Sequence, residues 1–229
     1  RIVLRHVPSW QEMGIIENGF ENFRALAFSP DGSWLVTGGG GTFGGRKHFL
    51  FEASPIQEEW EVSGHRHLIH ELALSPDGGV VASASHDGTV KIWNSREWSE
   101  IASLSGHKGV VTGVAFSPDG HLLASIHYDW ETKSDPKGGL TLWDTKTWKP
   151  VWIRQNDAML TTVSFTPDSR SIMTGGGDEN AGELRIWNCS SGKNQQIPGN
   201  YDLISCLQFS PDGTRLAVGE GYLNPREGK

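Results

Sequence analysis

Residues Ala27–Gly32 read "AFSPDG", and the same six-residue pattern returns four times along the chain. It recurs as "ALSPDG" (Ala73–Gly78), "AFSPDG" (Ala115–Gly120), "SFTPDS" (Ser164–Ser169) and "QFSPDG" (Gln208–Gly213). The aspartates fall at 31, 77, 119, 168 and 212, so successive copies are 46, 42, 49 and 44 residues apart. Each copy reads as a tight turn with a physical cause for every letter. Proline presets φ at the second turn position, aspartate accepts hydrogen bonds from nearby amides, and glycine takes positive φ without steric cost. A turn that repeats at this interval marks an array of supersecondary units.

Strand signals flank every turn. Alternating residues such as Val111, Gly113 and Ala115 against Thr112, Val114 and Phe116 precede the third copy. After the turns come "SWLVTG", "GVVASA", "HLLASI", "RSIMTG" and "TRLAVG", rich in β-branched or large apolar residues. A third run ends in an aromatic residue: "VKIWNS" (Val90–Ser95), "LTLWDT" (Leu140–Thr145), "LRIWNC" (Leu184–Cys189) and the divergent "HFLFEA" (His48–Ala53). A fourth short run follows, as in "EIASLS" (Glu100–Ser105) and "PVWIRQ" (Pro150–Gln155). No stretch has useful helical periodicity. Four short antiparallel strands per period predict an all-β fold, a β-propeller of four-stranded antiparallel blades.

With these residues in view, the chain resembles the WD-repeat propellers. Gly64-His65 and Gly106-His107 open two periods, three third strands close on Ile-Trp or Leu-Trp followed by Asp or Asn, and Trp143-Asp144 spells the literal pair. The resemblance implies a buried hydrogen-bond series joining Asp, His, a hydroxyl and the indole N–H. Mapped onto this sequence, the second period supplies His65, Ser83, Asp87 and Trp93, and the third His107, Ser125, Asp129 and Trp143. The fourth keeps Thr174, Asp178 and Trp187 but has Asn156 in the histidine place. The first keeps only Thr37, and the fifth has Asn200, Val218 and Tyr222, so those two are expected to rely on packing alone. Such a series is chemically sensible, because a buried carboxylate needs donors and a buried indole N–H needs an acceptor.

The stretch Thr37–Phe51, "TGGGGTFGGRKHFLF", contains Gly39, Gly41 and Gly44 in the G-x-G-x-x-G spacing. A dinucleotide fingerprint requires those glycines to lead from a strand into a helix. Here "HFLFEA" follows, and the segment fills the slot held by "HYDWETKSDPKGG" and "GGDENAGE" in other periods. It reads as an enlarged hairpin loop, and no cofactor is expected.

The net charge of −7 and the scattered Lys and Arg argue against a nucleic-acid surface. No run of about 18 apolar residues occurs, so membrane insertion by a helix is not expected. Cys189 and Cys206 fit neither a disulfide framework nor a zinc spacing, which predicts reduced thiols and a cytoplasmic protein. His65, His67 and His70 cluster at the mouth of a strand, and His86 falls in the following turn within reach of His70. With His65 already given a structural place, too few ligands remain for zinc, and no metal is expected. Glu58, Glu59 and Glu61, or Asp178 and Glu179, read as loop decoration rather than a catalytic pair. There is no G-x-S-x-G elbow, and no catalytic residue is assigned.

Arg1 is no initiator residue, and the gapless match of 1–19 onto 89–107 places Trp10 on Trp98. The start therefore reads as strands three and four of a blade, and the end as strands one and two. The expected organisation is one domain, with blade strands at 1–18, complete blades at 19–63, 64–105, 106–155 and 156–199, and a first strand pair at 200–229. A piece of a larger propeller is the favoured reading. Closure of a five-blade ring through the two terminal strand pairs is the alternative.

The expected function is a non-enzymatic scaffold that binds a protein or peptide partner. By the resemblance, the partner face is lined by residues just after the histidine place and just before the aspartate place of each period. These are Arg24, Leu68, His70, His86, Val110, Thr112, Tyr128, Met159 and Thr161, with Tyr128, His70, His86 and Arg24 the foremost. The competing expectation is the docking or regulatory lobe of a larger enzyme, such as a kinase or protease, with further domains covalently linked beyond the chain ends.

Overall fold

A computed structural model describes residues 2–5, 9–16, 23–39, 48–52, 59–62, 64–129, 137–178, 181–210 and 212–221. All of its regular elements are strands. β1 (Ile2–Arg5) pairs with β2 (Glu12–Ile16) in a two-stranded sheet. A four-stranded sheet follows from β3 (Phe23–Phe28), β4 (Trp34–Gly39), β5 (His48–Glu52) and β6 (Glu59–Val62). The second comprises β7 (Ile69–Leu74), β8 (Val80–Ser85), β9 (Val90–Asn94) and β10 (Glu100–Leu104). The third contains β11 (Val110–Phe116), β12 (Leu122–Asp129), β13 (Lys137–Asp144) and β14 (Lys149–Asn156). The fourth is β15 (Met159–Phe165), β16 (Ser171–Gly177), β17 (Gly182–Asn188) and β18 (Asn194–Gln196). β19 (Ile204–Phe209) and β20 (Leu216–Glu220) form a last pair.

Within each sheet, sequence neighbours are spatial neighbours and every pairing is antiparallel. This is the propeller-blade architecture. The β1–β2 and β19–β20 pairs stay separate sheets among the described residues, so the ring is not closed through them.

The glycine stretch joins β4 to β5, which pair with Gly38 opposite His48. The element after it is thus the return strand of a hairpin rather than a helix; Gly41 and Gly44 themselves lie outside the described residues, as do Glu58, Glu179 and Tyr222.

Successive sheets stack face on face. Val36 of the first sheet packs with Leu72, Val81 and Trp93 of the second. Ala82, Val90 and Ile92 pack with Val114, Leu123 and Trp143 of the third, and Ile126, Leu140 and Leu142 with Val163, Ile172 and Trp187 of the fourth. Met173 and Leu184 meet Ile204 and Leu207 of the last pair. Small residues such as Ala82, Ala84 and Ala124 are fully buried because the second strand of each four-stranded sheet is covered on both faces. The residue five before each turn aspartate anchors the contact with the preceding sheet: Leu72, Val114, Val163 and Leu207 are 6%, 2%, 6% and 8% exposed. In the first sheet the same position, Leu26, is 52% exposed and Phe28 55%. The motif is the same there; the neighbouring inner strand is what differs.

The Ser/Thr-Pro-Asp turns form one rim. In the first, the Ser29 hydroxyl donates to Asp31 Oδ1 at 2.5 Å, and the amides of Ser33 and Trp34 donate to Asp31 and Ser29 at 3.1 Å each. The Ser29 hydroxyl, followed by the Ser33 amide and hydroxyl, brings the Asp31 carboxyl down to about 2. Ser75, Ser117, Thr166 and Ser210 repeat the hydroxyl-to-aspartate bond. Gly78 adopts φ +71°, and a Cβ there would stand 3.1 Å from Pro30 Cδ of the neighbouring turn. The Asp119 amide donates to Ser169 Oγ of the next turn at 3.1 Å. The turns therefore touch in sequence.

Candidate interaction face

Polar side chains in the sheets divide into those used up in holding the structure and those left for other work. In the second sheet Trp93 Nε1–H donates to Ser83 Oγ at 2.9 Å, and Ser83 Oγ lies 2.7 Å from His65 Nε2. His65 Nδ1 lies 2.9 Å from Asp87 Oδ2. A carboxylate only accepts, so Nδ1 carries the hydrogen and Nε2 accepts from the Ser83 hydroxyl. Asp87 also receives the Arg66 amide at 2.8 Å and the Thr89 hydroxyl at 2.6 Å. Burial opposes ionisation of Asp87, but the bonds from His65, Thr89 and Arg66 outweigh it and hold its carboxyl below the usual range.

The third sheet departs from this arrangement. Trp143 Nε1–H donates to Ser125 Oγ at 2.8 Å, and His107 Nε2 lies 2.8 Å from the same oxygen. His107 Nδ1 then donates to the Gly88 carbonyl of the preceding sheet at 3.2 Å, in place of Asp129. Asp129 acts instead on His127, where burial outweighs it and keeps that imidazole below its ordinary value. His127 Nδ1 is buried without a hydrogen-bond partner among the described residues. In the fourth sheet the chain shortens to Trp187 Nε1–H donating to Thr174 Oγ1 at 2.8 Å. Asn156 turns to Glu183 Oε1 and the Ala158 carbonyl, both at 2.9 Å, while Asp178 accepts the Ala181 amide at 3.0 Å.

The candidate partner residues lie at the opposite edge from the turn rim. Arg24, His70, Thr112 and Thr161 each sit on an inner strand, where the pairing register shifts: between Phe23 and Ala25, Ile69 and Glu71, Val111 and Gly113, and Leu160 and Thr162. A β-bulge inserts one unpaired residue and re-aims its side chain. Ser205 holds the same place on β19. Two of these residues are tied down. Thr112 donates to the Leu160 carbonyl at 3.1 Å, and Thr161 to the carbonyls of Ile204 and Gly175. Val110 is 2% exposed, so its side chain faces the core and offers no surface to a partner. Arg24 and His86 are exposed, and Leu68, His70, Tyr128 and Met159 partly so. A cavity of about 550 Å³ opens beside the inner strands, lined by His70, Glu71, Thr112, Thr161, Ser205 and Cys206 among others.

The family model described as WD domain, G-beta repeat, matches residues 18–43, 56–94, 98–131 and 192–222, more than half of the chain. The chain belongs to the WD-repeat family. The matches leave 132–191 between them, where β13–β17 nevertheless keep the strand order of the other sheets. Among similar proteins, the transcriptional corepressor LEUNIG homolog of Arabidopsis thaliana is 36% identical over 83 residues, 34% of this chain and 9% of the relative. The periodic tryptophan protein 2 homolog of Caenorhabditis elegans is 30% identical over 103 residues, 42% of this chain and 10% of the relative. Enhancer of mRNA-decapping protein 4 of Homo sapiens is 62% identical over 32 residues, 14% of this chain and 2% of the relative. The chain thus spans a tenth or less of these relatives.

WD repeats are modules for binding protein partners. Among the described residues of this WD-repeat chain, no helix is long and apolar enough to cross a membrane. Nor do three or more His, Cys, Asp or Glu side chains gather there as metal ligands.

Three tryptophans away from the third strands, Trp98, Trp148 and Trp152, pack between sheets, whereas Trp10 is 65% exposed. Trp98 meets Trp34 edge-on at 5.8 Å, Trp148 joins the core between the second and third sheets, and Trp152 donates to the Cys189 carbonyl at 2.7 Å. Trp60 lies on β6, and its side chain is not among those described.

One functional group escaped sequence reasoning altogether. Glu71 Oε2 accepts the Val114 amide of the next sheet at 2.9 Å. Burial pushes its carboxyl up to about 7, although the Val114 bond works the other way. Its place on β7, where the other inner strands carry Ala25, Gly113, Thr162 and Cys206, was the available signal.

Proposed function

We propose that the chain is a non-enzymatic protein-interaction platform, whose partner meets the edge opposite the Ser/Thr-Pro-Asp rim. The observation behind this reading is the repeated bulge. At the same place on each inner strand one residue is left unpaired, and His70, Thr112, Thr161 and Ser205 line the cavity, on sheets with stacked cores. The polar groups of the buried series are absorbed in structure, and those on the bulged edge differ from sheet to sheet, as recognition requires. Arg24, His70, His86 and Tyr128 are the contact residues, with Leu68 and Met159 supplying apolar area. Thr112 and Thr161 shape the edge rather than donate to the partner.

On this reading the chain is one WD-repeat unit, divided at 19, 64, 106, 156 and 200. The compartment is a reducing one, consistent with two unpaired cysteines. No observation favours the alternative of a docking lobe serving a kinase or protease.

Affinity capture from cells tests the proposal. Replacing Arg24 and His70 by glutamine and Tyr128 by alanine together is expected to lower recovery of specific partners by about tenfold or more, since anchors of this kind contribute most of the binding energy. Unchanged recovery with a folded triple variant would count against this edge.

A further inference from the structure

Arg24, His67, His70 and His86 converge where the bulge of β3, the segment leading into β7 and the β8–β9 turn come together. His70 Nε2 lies 3.3 Å from His86 Nδ1, with the two rings stacked at 5.5 Å. The His67 ring is 5.9 Å from that of His86. Arg24 is near enough for its charge to act on both His70 and His86. Burial first, then His86 and Arg24, bring His70 down to about 4; burial, His67 and Arg24 lower His86 against the opposing pull of Asp87.

Among the described residues, the acids beside this collection of donors are engaged elsewhere. Arg24 makes no hydrogen bond or ion pair among the described residues. Asp87 is engaged by His65, Thr89 and the Arg66 amide. Glu71 is turned to the Val114 amide, and its carboxyl is held near 7 by burial. The other bulged side chains have spent their hydroxyls on carbonyls: Thr112 on Leu160, Thr161 on Ile204, and Ser205 on Gly219. In a chain of net charge −7, a guanidinium and three imidazoles thus gather at one place, opposed among the described residues by an Asp87 already held by its own hydrogen bonds.

Two ligand chemistries suit clustered imidazoles. The 3.3 Å N···N separation is close to that of two nitrogens on a tetrahedral zinc with bonds of about 2.0–2.1 Å. The fixed positive charge of Arg24 opposes a cation, however, and favours an anion, for which a guanidinium supplies a planar fork of donors.

We propose that Arg24, His67, His70 and His86 form a receptor for an anionic group, carboxylate or phosphate, on an extended acidic segment of a protein partner. This rests on the bulged edge being the recognition face and names the chemistry it reads. An arriving anion favours the imidazolium forms, so binding takes up protons and strengthens as pH falls. Protonation of Glu71 acts in the same sense, and Asp87 stays ionised throughout this range.

The test is fluorescence anisotropy on the full chain with labelled hexaglutamate, a phosphoserine-containing Gly-Ser peptide, and hexaglutamine as the neutral control. At least one anionic probe is expected to bind about tenfold or more tighter than hexaglutamine, and which one does so names the source of the anion. Arg24→Gln is expected to weaken it about tenfold, with Arg24→Lys recovering part of the loss. Lowering the pH from about 7.5 to about 6 is expected to tighten binding several-fold.

Anionic probes indistinguishable from hexaglutamine, or binding indifferent to Arg24→Gln, would overturn the proposal. Tight zinc binding that is lost in His70→Gln/His86→Gln, without anion binding, would overturn it in favour of a metal. Partner capture that depends on Tyr128 alone, with no anion preference, would leave the edge standing and remove only its chemistry.

Discussion

Ser83→Ala is expected to lower the unfolding free energy by about 3 kcal/mol, the largest loss for any single oxygen in the second sheet. The Ser83 hydroxyl is fully buried and joins two partners that cannot reach water. It accepts from Trp93 Nε1–H at 2.9 Å and donates to His65 Nε2 at 2.7 Å. Alanine leaves both groups unsatisfied, each at about 1–3 kcal/mol. Loss of the His65 bond also frees the ring that holds Asp87 in the β8–β9 turn.

Thr174→Val gives the internal comparison. Trp187 Nε1–H is the side-chain donor seen on the Thr174 hydroxyl, and valine preserves the packing. A loss of about 1–2 kcal/mol is expected there. Urea denaturation followed by tryptophan fluorescence measures both. A Ser83→Ala variant within about 0.5 kcal/mol of the parent would show that the series adds little.

Glu71→Gln is expected to stabilise the protein, and to do so only away from acid. The folded state holds Glu71 at about 7 against an ordinary value of 4.5, so between these values it retains a proton that the unfolded chain has released. Stability therefore falls as pH rises through this window, by on the order of 3 kcal/mol when complete. His107 works in the opposite direction. Burial, then the neighbouring His127, lower it to about 4 from 6.5, so the unfolded chain takes up the proton first and stability falls as pH drops from 6.5 to 4.

The Glu71 slope opposes that of His107 between 4.5 and 6.5, and His70, also brought down to about 4, adds to the His107 side. Glutamine keeps an acceptor for the Val114 amide and removes the titration. The variant should exceed the parent by about 2–3 kcal/mol near pH 8, match it near pH 4.5, and expose the combined slope of His107 and His70 between. A stability difference that does not change with pH would show that Glu71 is not held protonated by the fold.

The turns and strand order were legible because Pro, Asp and Gly act locally. Ser29, Asp31 and Gly32 fix their turn within six residues, and the return strand follows in register. The indole-hydroxyl pairs were legible through the resemblance. What lay hidden depends on register and on contacts between sheets. The bulge at His70 leaves no mark in "LIHELAL", since the alternation of Leu72 and Leu74 reads the same with or without an unpaired residue. A one-residue shift of that kind is what leaves His70 unpaired beside the cavity. The choice of Gly88 over Asp129 by His107 depends on how the preceding sheet is placed, and nothing local announces it. Glu71 is hidden because a lone charge in a strand reads as solvent-facing until the strand beside it is known. Leu26 and Phe28 show the same limit from the other side. Their sequence pattern predicts burial, and burial requires a neighbouring inner strand.

The most direct test of the recognition edge is site-specific photo-crosslinking in cells, with benzoylphenylalanine placed at His86 on the bulged edge or at His121 beside the turn rim. The account predicts partner adducts from position 86 and few or none from position 121, at equal expression of both variants. Adducts confined to position 121 would contradict it and move recognition to the Ser/Thr-Pro-Asp rim.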